Sequence, residues 1–219
     1  FMKSLSFGSL ILSIIVGTAL VIGFAYITGD FYATALFPSL AILSAFIISG
    51  FIIGIMSKDV TIAEPGIGAV VVAILSYLIV PAMELKGLAL VTTSDWILIF
   101  INGIVLTFLG AWLGEKIQHG ALPTSDESDF DWGWGIAGTI LGVTMNIVLV
   151  IILNLIMGAN PSKFYIPFFL SLFIVGIVIG RFSPGITIKE AGLAGLLIIA
   201  VDFDIIRLTL YSESIPLSY

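Results

Sequence analysis

The sequence predicts an all-α integral membrane protein with about seven transmembrane helices and a parallel internal duplication: three helices, a connector helix and three more helices. Three observations lead to this fold class. The 219 residues are 59% hydrophobic and only 10% charged, with a mean hydropathy of +1.22. The apolar residues form runs of about 20 residues, the length that crosses a bilayer as a helix. One stretch of the chain occurs twice.

The repeated stretch covers residues 50–70 and 176–196, at a constant offset of 126 positions. The first copy reads GFIIGIMSKDVTIAEPGIGAV and the second reads GIVIGRFSPGITIKEAGLAGL. Eight of the 21 positions are identical, whereas a composition rich in apolar residues gives roughly two matches by chance. We therefore predict an internal duplication of the chain. A weaker match between residues 7–19 and 132–144 extends the duplication to the first helix of each copy.

Seven spans follow from apolar run length and flanking turn residues. They are residues 8–28, 36–56, 62–83, 96–114, 134–157, 165–181 and 187–211. We expect a single transmembrane domain over residues 1–219, with repeat 1 at 7–83, the connector span 4 at 96–114, an acidic loop at 115–133 and repeat 2 at 134–211. Corresponding spans are four apart in order, and this even offset gives both copies the same orientation in the membrane.

The residues at the ends of the spans in repeat 1 fit these boundaries. Span 1 ends before Gly29, and span 2 has Pro38 in its first turn, where a helix tolerates proline. Span 3 ends near Pro81, and span 4 lies between Trp96 and Trp112, which suit the depth of the membrane interface.

The boundaries in repeat 2 follow the same logic. Trp132 and Trp134 are interface residues that precede span 5. Pro167 in span 6 mirrors the proline of span 2, and span 7 starts near Thr187.

Composition excludes several classes of function. The chain has no cysteine, so it has no disulfide framework and no thiolate site. His119 is its only histidine, which argues against a His-rich metal centre and a Ser-His-Asp triad. The net charge of −6, with scattered basic residues, does not fit nucleic-acid binding. We therefore expect no enzymatic activity, no cofactor and no metal site, and we interpret the acidic residues after His119 as a solvated loop.

The lack of cysteine and the single histidine also fit a protein of a prokaryotic inner (plasma) membrane. The basic residues divide five to three between the two sides that the spans define; the larger group is Lys3, Lys58, Lys116, Arg181 and Lys189. The positive-inside rule then places the N-terminus in the cytoplasm and the C-terminus outside.

Each copy of the repeat carries the Thr-x-x-Glu spacing of a helix-capping box. The residues are Thr61 and Glu64 in the first copy, and Thr187 and Glu190 in the second. A capping box supplies hydrogen-bond partners at a helix start, where lipid offers none. The alternative is that the two glutamates face each other and attract a cation or share a proton at the cytoplasmic end.

Glycines four residues apart occur at corresponding places in both copies. They are Gly50 and Gly54 in span 2, and Gly176 and Gly180 in span 6. Such pairs give a helix a flat face that lets two backbones approach closely. We interpret them as packing within the chain, with dimerisation as the alternative.

Span 7 carries the strongest functional signal. Asp202 lies 12 residues after Glu190, about 18 Å along a helix and so inside the hydrocarbon core. A charge there costs about 2.5–3.5 kcal/mol and requires a partner, a proton or a cavity. Asp204 and Arg207 are spaced to pair on one face, whereas Asp202 points the opposite way. The alternative is a span that ends early and leaves these residues at the outer interface.

Two functions remain open from the sequence. The first is a small channel or secondary transporter for a cation, a proton or a small solute, with Asp202, Asp204, Arg207, Glu64 and Glu190 as candidate residues. The second is a non-catalytic accessory or scaffold subunit of a larger membrane complex. The expected partners are the lipid bilayer and either other membrane subunits or a second copy of the chain, with no nucleic acid. An intramembrane enzyme is the weakest interpretation, because the two aspartates point apart.

Overall fold

A computed structural model describes residues 7–30, 32, 34–56, 63–119, 130–157, 165–183 and 188–214, apart from a few side chains within them. All regular secondary structure in these ranges is helical. The long helices are α1 (Phe7–Gly29), α2 (Leu36–Met56), α3 (Ala63–Ile79), α4 (Thr93–His119), α5 (Trp132–Met157), α6 (Tyr165–Phe182) and α7 (Ile188–Ser214). Two short 3-10 helices, Pro81–Met83 and Lys86–Leu88, connect α3 to α4.

Six helices, α1 to α6, are long and apolar enough to cross a membrane, which is consistent with an integral membrane protein. Each of the seven predicted spans overlaps one of the long helices. The seventh, α7, carries charged residues near both ends and Asp202 near its middle. Its passage through the bilayer stays a prediction.

The helix α7 continues without a break through Asp202. It has 27 residues, so its length is about 40 Å, more than the thickness of a hydrocarbon core. The sequence left open a helix that ends before Asp202. The structure instead places Asp202 near the midpoint of a continuous helix.

The chain divides into two compact units, Phe1–Gln118 and His119–Tyr219. In the first unit α1 packs against both α2 and α3. The buried side chains there form one apolar cluster that reaches the start of α4; it includes Val21, Ala25, Ile42, Ala45, Phe46, Val72, Ala73, Val80, Leu85, Leu88, Trp96 and Phe100.

In the second unit α5 packs against both α6 and α7. Its apolar cluster is smaller and consists of Val175 and Ile179 from α6 with Ala194 and Ile198 from α7. Gly138 of α5 lets these helices approach, because a Cβ atom there would lie only 2.5 Å from Ile179 and 2.9 Å from Ala194.

Candidate functional site

Asp202 belongs to a buried stripe along α7. The stripe consists of every fourth residue, so its members lie on one face of the helix; they are Glu190, Ala194, Ile198 and Asp202. Ala194, Ile198 and Asp202 each have 0% of their surface exposed. The carboxyl of Asp202 therefore occupies a position that helical periodicity assigns to the interior of the second unit.

A matching stripe on α5 faces the stripe of α7. Gly138 lies against Ala194, and one turn further Gly142 lies against Ile198. Both contacts join residues 56 positions apart, so the two helices run in the same direction at this interface. One more turn brings Asn146 opposite Asp202, and the Asn146 side chain is the polar neighbour of that carboxyl.

Polar atoms of Asp202 and of its neighbour Asn146 lack hydrogen-bond partners among the described residues. Asn146 is 4% exposed and Asp202 is completely buried. Although the two side chains face each other, neither carboxyl oxygen of Asp202 nor Oδ1 of Asn146 has a hydrogen-bond partner of acceptable geometry among the described residues. A proton on Asp202 would create a donor for Asn146 Oδ1, and the same oxygens are ligands that a hard cation accepts.

Four polar side chains elsewhere in the helices bond within their own helix, whereas the hydroxyls of Ser13, Thr18, Ser76 and Thr144 are buried without a partner among the described residues. The hydroxyl or amide groups that bond within their helix donate to the carbonyl oxygen four residues earlier, at 2.6–3.0 Å; they belong to Thr28, Asn102, Thr107 and Thr139. An ionised carboxylate cannot do this because it has no hydrogen to donate. Asp202 thus differs chemically from the polar residues that a membrane helix accommodates easily.

Two comparable contacts join α1 and α3 in the first unit. Ser13 of α1 lies against Gly68 of α3, and this contact corresponds to that of Gly138 with Ala194 in the second unit. One turn further, Gly17 lies against Val72, matching the contact of Gly142 with Ile198.

The next turn of the first unit holds Val21 and Ser76 where the second unit holds Asn146 and Asp202. Both Val21 and Ser76 are 0% exposed. At this turn of the contact, the first unit buries an isopropyl side chain and a hydroxyl, and the second unit buries an amide and a carboxyl.

Glu190 lies at the start of the buried stripe of α7, in the first turn of that helix. It is only 4% exposed. Its Oε1 accepts a hydrogen bond of 3.1 Å from the backbone N–H of Asp131, immediately before α5 begins, and its Oε2 has no partner among the described residues. The contact ties the first turn of α7 to the start of α5.

Two of the other charged candidates lie on the surface of α7. Asp204 and Arg207 are both exposed, and these two side chains form no ion pair with each other. Asp202 and Asp204 thus point to opposite sides of α7, as the helical spacing predicts.

The remaining candidates fall partly outside the described structure. Glu64 is in the first turn of α3, but its side chain is outside the described set. Thr61 and Thr187 lie outside the described residues, and so do residues 120–129 of the acidic loop.

The glycine pairs have different surroundings in the two units. Cβ atoms on Gly50 and Gly54 would collide with the carbonyl oxygens of Thr107 and Ala111 in α4. Reciprocally, the Gly110 and Gly114 positions of α4 lie against the carbonyl oxygens of Ile47 and Phe51. The backbones of α2 and α4 are therefore in direct contact.

Gly176 and Gly180 of α6 have open space around them. Among the described residues, no side chain and no other helix lies within 4 Å of the place where a Cβ would stand, and the same is true of Gly192 and Gly195 of α7. The sequence assigned the same packing role to all four predicted glycines, but only the pair on α2 is covered by a helix of its own unit.

Two features of the structure escaped the sequence reasoning. The pairing of Asn146 with Asp202 is not visible in the sequence, because the register between α5 and α7 cannot be read from either helix alone. The capping box at the start of α4 was missed although its Thr-x-x-Asp spacing is visible: the Thr92 N–H and Oγ1 donate to Asp95 Oδ2 at 3.0 and 2.7 Å, and the Asp95 N–H donates back to Thr92 Oγ1 at 3.3 Å.

Comparison of the chain with known protein families, with curated proteins and with solved structures finds no match.

Proposed function

We propose that this protein is a small membrane channel or secondary transporter that moves protons or another cation, with Asp202 as the ion-binding group inside the membrane. The observation that carries the proposal is the complete burial of this carboxyl beside Asn146, with no hydrogen bond of acceptable geometry to its oxygens among the described residues. An isolated charge at that depth costs about 2.5–3.5 kcal/mol, so the carboxyl holds a proton or a cation in its resting state. A group that must bind an ion to be stable is suited to exchanging that ion between the two sides.

The internal duplication that the sequence predicts is consistent with the proposal. The successive contacts between α1 and α3 match those between α5 and α7, as expected for two copies of one three-helix unit. Against that common background, Asp202 and Asn146 replace Ser76 and Val21. A buried carboxyl is thus not needed to build such a unit, and a functional role accounts for its presence in the second copy.

Glu190 has a positioning role in this proposal. Its hydrogen bond to the Asp131 N–H holds the start of α7 against α5, which sets the register that brings Asn146 to Asp202. The sequence places the loops before Glu64 and Glu190 in the cytoplasm, and a cation would enter from that side.

Proton flux into liposomes tests the proposal. Purified protein is reconstituted with an interior pH-sensitive dye, and an imposed potassium gradient with valinomycin drives uptake of protons. We expect flux for the unchanged protein and for Asp204→Asn, which alters an exposed carboxylate two residues away. We expect Asp202→Asn to match protein-free liposomes, because an amide cannot exchange a proton. Equal flux in the two variants would remove Asp202 from the pathway.

The open glycine faces favour a second candidate function, that of an accessory or scaffold subunit of a larger membrane complex. Gly176 and Gly180 present a flat strip on α6 with open space in their own unit, and such strips are typical of close contacts between membrane helices. Purification from native membranes in a mild detergent distinguishes the two functions. A stoichiometric partner that is lost with Gly176→Leu would favour the scaffold.

A further inference from the structure

The buried stripe of α6 carries a polar side chain, that of Ser171. The stripe consists of every fourth residue, so its members lie on one face of the helix; they are Pro167, Ser171, Val175 and Ile179. Ser171 has 0% of its surface exposed. The residues described above around Asp202 belong to α5 and α7, and the register of α6 decides whether a third helix contributes to the same site.

Two glycines of α5 set the register between α5 and α6. A Cβ atom on Gly138 would lie 2.5 Å from Ile179, and a Cβ atom on Gly142 would lie 3.2 Å from Val175. The residue numbers rise by four along α5 where they fall by four along α6. The two helices therefore run in opposite directions, and each further turn of α5 meets the preceding turn of α6.

The next turn brings Ser171 opposite Asn146, at the level where Asn146 faces Asp202. Each helix of the second unit thus contributes one polar side chain to this level, and none of the three is more than 4% exposed. We call Asn146, Ser171 and Asp202 the polar layer. The carboxyl of Asp202 therefore shares its level with two neutral polar groups from two other helices.

The corresponding level of the first unit supports this register. Ser49 of α2 lies against Gly17 of α1, since a Cβ atom on Gly17 would be 2.6 Å from the Ser49 Oγ, and this contact is the counterpart of the second contact between α5 and α6. One turn further, Val21 and Ala45 both have 0% exposure and belong to one apolar cluster. At the offset of the predicted duplication, Ala45 corresponds to Ser171, so alanine is sterically accepted at this place.

The polar layer contains a single ionisable group, Asp202. The sequence of α5 has no acidic, basic or tyrosine residue. The other described titratable side chains of α6 and α7 are exposed, apart from Glu190, which lies about 18 Å along α7 from Asp202; the exposed ones are Tyr165, Arg181, Lys189, Asp204 and Arg207. One proton or one monovalent cation makes the layer neutral, whereas a divalent cation would leave a net positive charge in the membrane.

A metal ion would find few ligands in the polar layer. Its side chains supply two oxygens from Asp202 and one each from Asn146 and Ser171, whereas hard divalent cations take about six or more. Transporters coordinate Na⁺ with backbone carbonyl oxygens of unwound helices, but α5, α6 and α7 are continuous α-helices through the layer. A proton needs only one oxygen to hold it and one acceptor, and the layer provides both.

We propose that Ser171 is the third member of the ion site, that the ion is a proton, and that the serine hydroxyl stabilises the ionised state of Asp202. While Asp202 is protonated, its carboxyl donates to Asn146 Oδ1, and the Ser171 hydroxyl donates to the Phe168 carbonyl oxygen at 2.8 Å, as in the structure. When the proton leaves, the hydroxyl turns from this carbonyl to the carboxylate, because a hydrogen bond to a charged group is the stronger one.

The exchange involves one bond. The O–H bond of the Asp202 carboxyl breaks, its electron pair stays on the carboxylate, and the proton forms its new bond to the oxygen of a water molecule. Ser171 keeps its own proton throughout and only changes its acceptor. The inference rests on the proposed function, because it names the ion and a further residue of that same site.

The pH at which the protonated carboxyl of Asp202 disappears tests the role of Ser171. Its C=O band is followed by infrared spectroscopy of the complete protein in liposomes and is assigned by its loss in Asp202→Asn. In Ser171→Ala the ionised carboxylate lacks a donor, so the band should persist to a pH about one unit or more higher than in the unchanged protein. Ser171→Thr, which keeps a hydroxyl, should stay close to the unchanged protein.

Ser183→Ala is the matched control, because it makes the same change at another buried serine, 12 positions further along the chain. It should leave the midpoint of the band unchanged, and thermal unfolding verifies that each variant is folded. Equal midpoints in Ser171→Ala and in the unchanged protein would overturn the role of Ser171 and leave Asp202 as the proton site. An unchanged protein without an Asp202 band would overturn the proton as the resident ion.

Ion flux into the same liposomes identifies the ion that moves. Proton uptake should be equal with Na⁺ or with N-methylglucamine as the external cation, and radioactive Na⁺ should enter no faster than in protein-free liposomes. Ser171→Ala should lower proton flux about tenfold or more, and Ser183→Ala should not change it. Na⁺ uptake that Asp202→Asn abolishes would overturn the proton but keep the transport function. Absence of any flux would overturn the transport function, and this inference with it.

Discussion

Alanine substitution of the two equivalent glycine pairs should have opposite effects on stability. In α2, Gly50→Ala combined with Gly54→Ala pushes two Cβ atoms into the carbonyl oxygens of α4. In α6, Gly176→Ala combined with Gly180→Ala places both Cβ atoms in open space. The two double variants make the same chemical change at corresponding positions of the repeat.

The magnitude follows from two opposing contributions. Alanine favours a helix over glycine by about 1 kcal/mol per position, and overpacking costs about 1–3 kcal/mol per position. With about 2 kcal/mol of overpacking at each glycine, the α2 variant loses about 2 kcal/mol net. The α6 variant has no overpacking and gains up to about 2 kcal/mol. The expected difference between the variants is therefore about 4 kcal/mol.

Reversible unfolding in mixed micelles, followed by tryptophan fluorescence, measures this difference as the change in free energy of unfolding of each variant. A destabilised α2 variant beside a neutral or stabilised α6 variant is the expected result. Equal destabilisation of both variants would refute the reasoning, because it would mean that Gly176 and Gly180 are packed as closely as Gly50 and Gly54.

Three further predictions concern other contacts. Glu190→Ala should lower the free energy of unfolding by about 1–2 kcal/mol because the half-buried N–H of Asp131 loses this acceptor, and Glu190→Gln, which keeps an acceptor, should restore most of the loss in the same unfolding assay. Asp95→Ala should cost about 1 kcal/mol through loss of the bonds from Thr92 to the Asp95 carboxylate, although Thr92 Oγ1 still accepts from the backbone N–H of position 95, and Asp95→Asn should cost less. Because the chain has no cysteine, single cysteines at Glu64, at the exposed Lys189 beside Glu190 and at Glu84 can be labelled in sealed vesicles. The first two should react from one side and the third from the other; labelling of positions 64 and 189 from opposite sides would contradict the parallel duplication.

The sequence predicted the helices well because a membrane helix is defined by composition over about 20 residues. Residues 36–56, for example, were placed with the same limits that α2 has in the structure. The 3-10 helix Pro81–Met83 was assigned to the third span, because apolar run length does not distinguish a 3-10 turn from the end of an α-helix.

The candidate site was predicted in part. Helical spacing and depth were enough to single out Asp202, since both depend only on position along one helix. Asn146 was not connected to it, because the pairing depends on the register of α5 against α7. The glycine pairs also depend on packing between helices. Gly54 and Gly180 occupy equivalent positions in the predicted repeat, but the sequence does not reveal which of them another helix covers.

Infrared difference spectroscopy of the reconstituted protein tests whether Asp202 is the group that binds the proton. Protonated carboxyl groups absorb separately from ionised ones, so their C=O band reports the proton itself and does not depend on flux. We predict a protonated-carboxyl band at neutral pH in the unchanged protein and in Asp204→Asn, and its loss in Asp202→Asn. A spectrum of Asp202→Asn that retains the full band, or an unchanged protein with no band and no bound cation, would contradict the account.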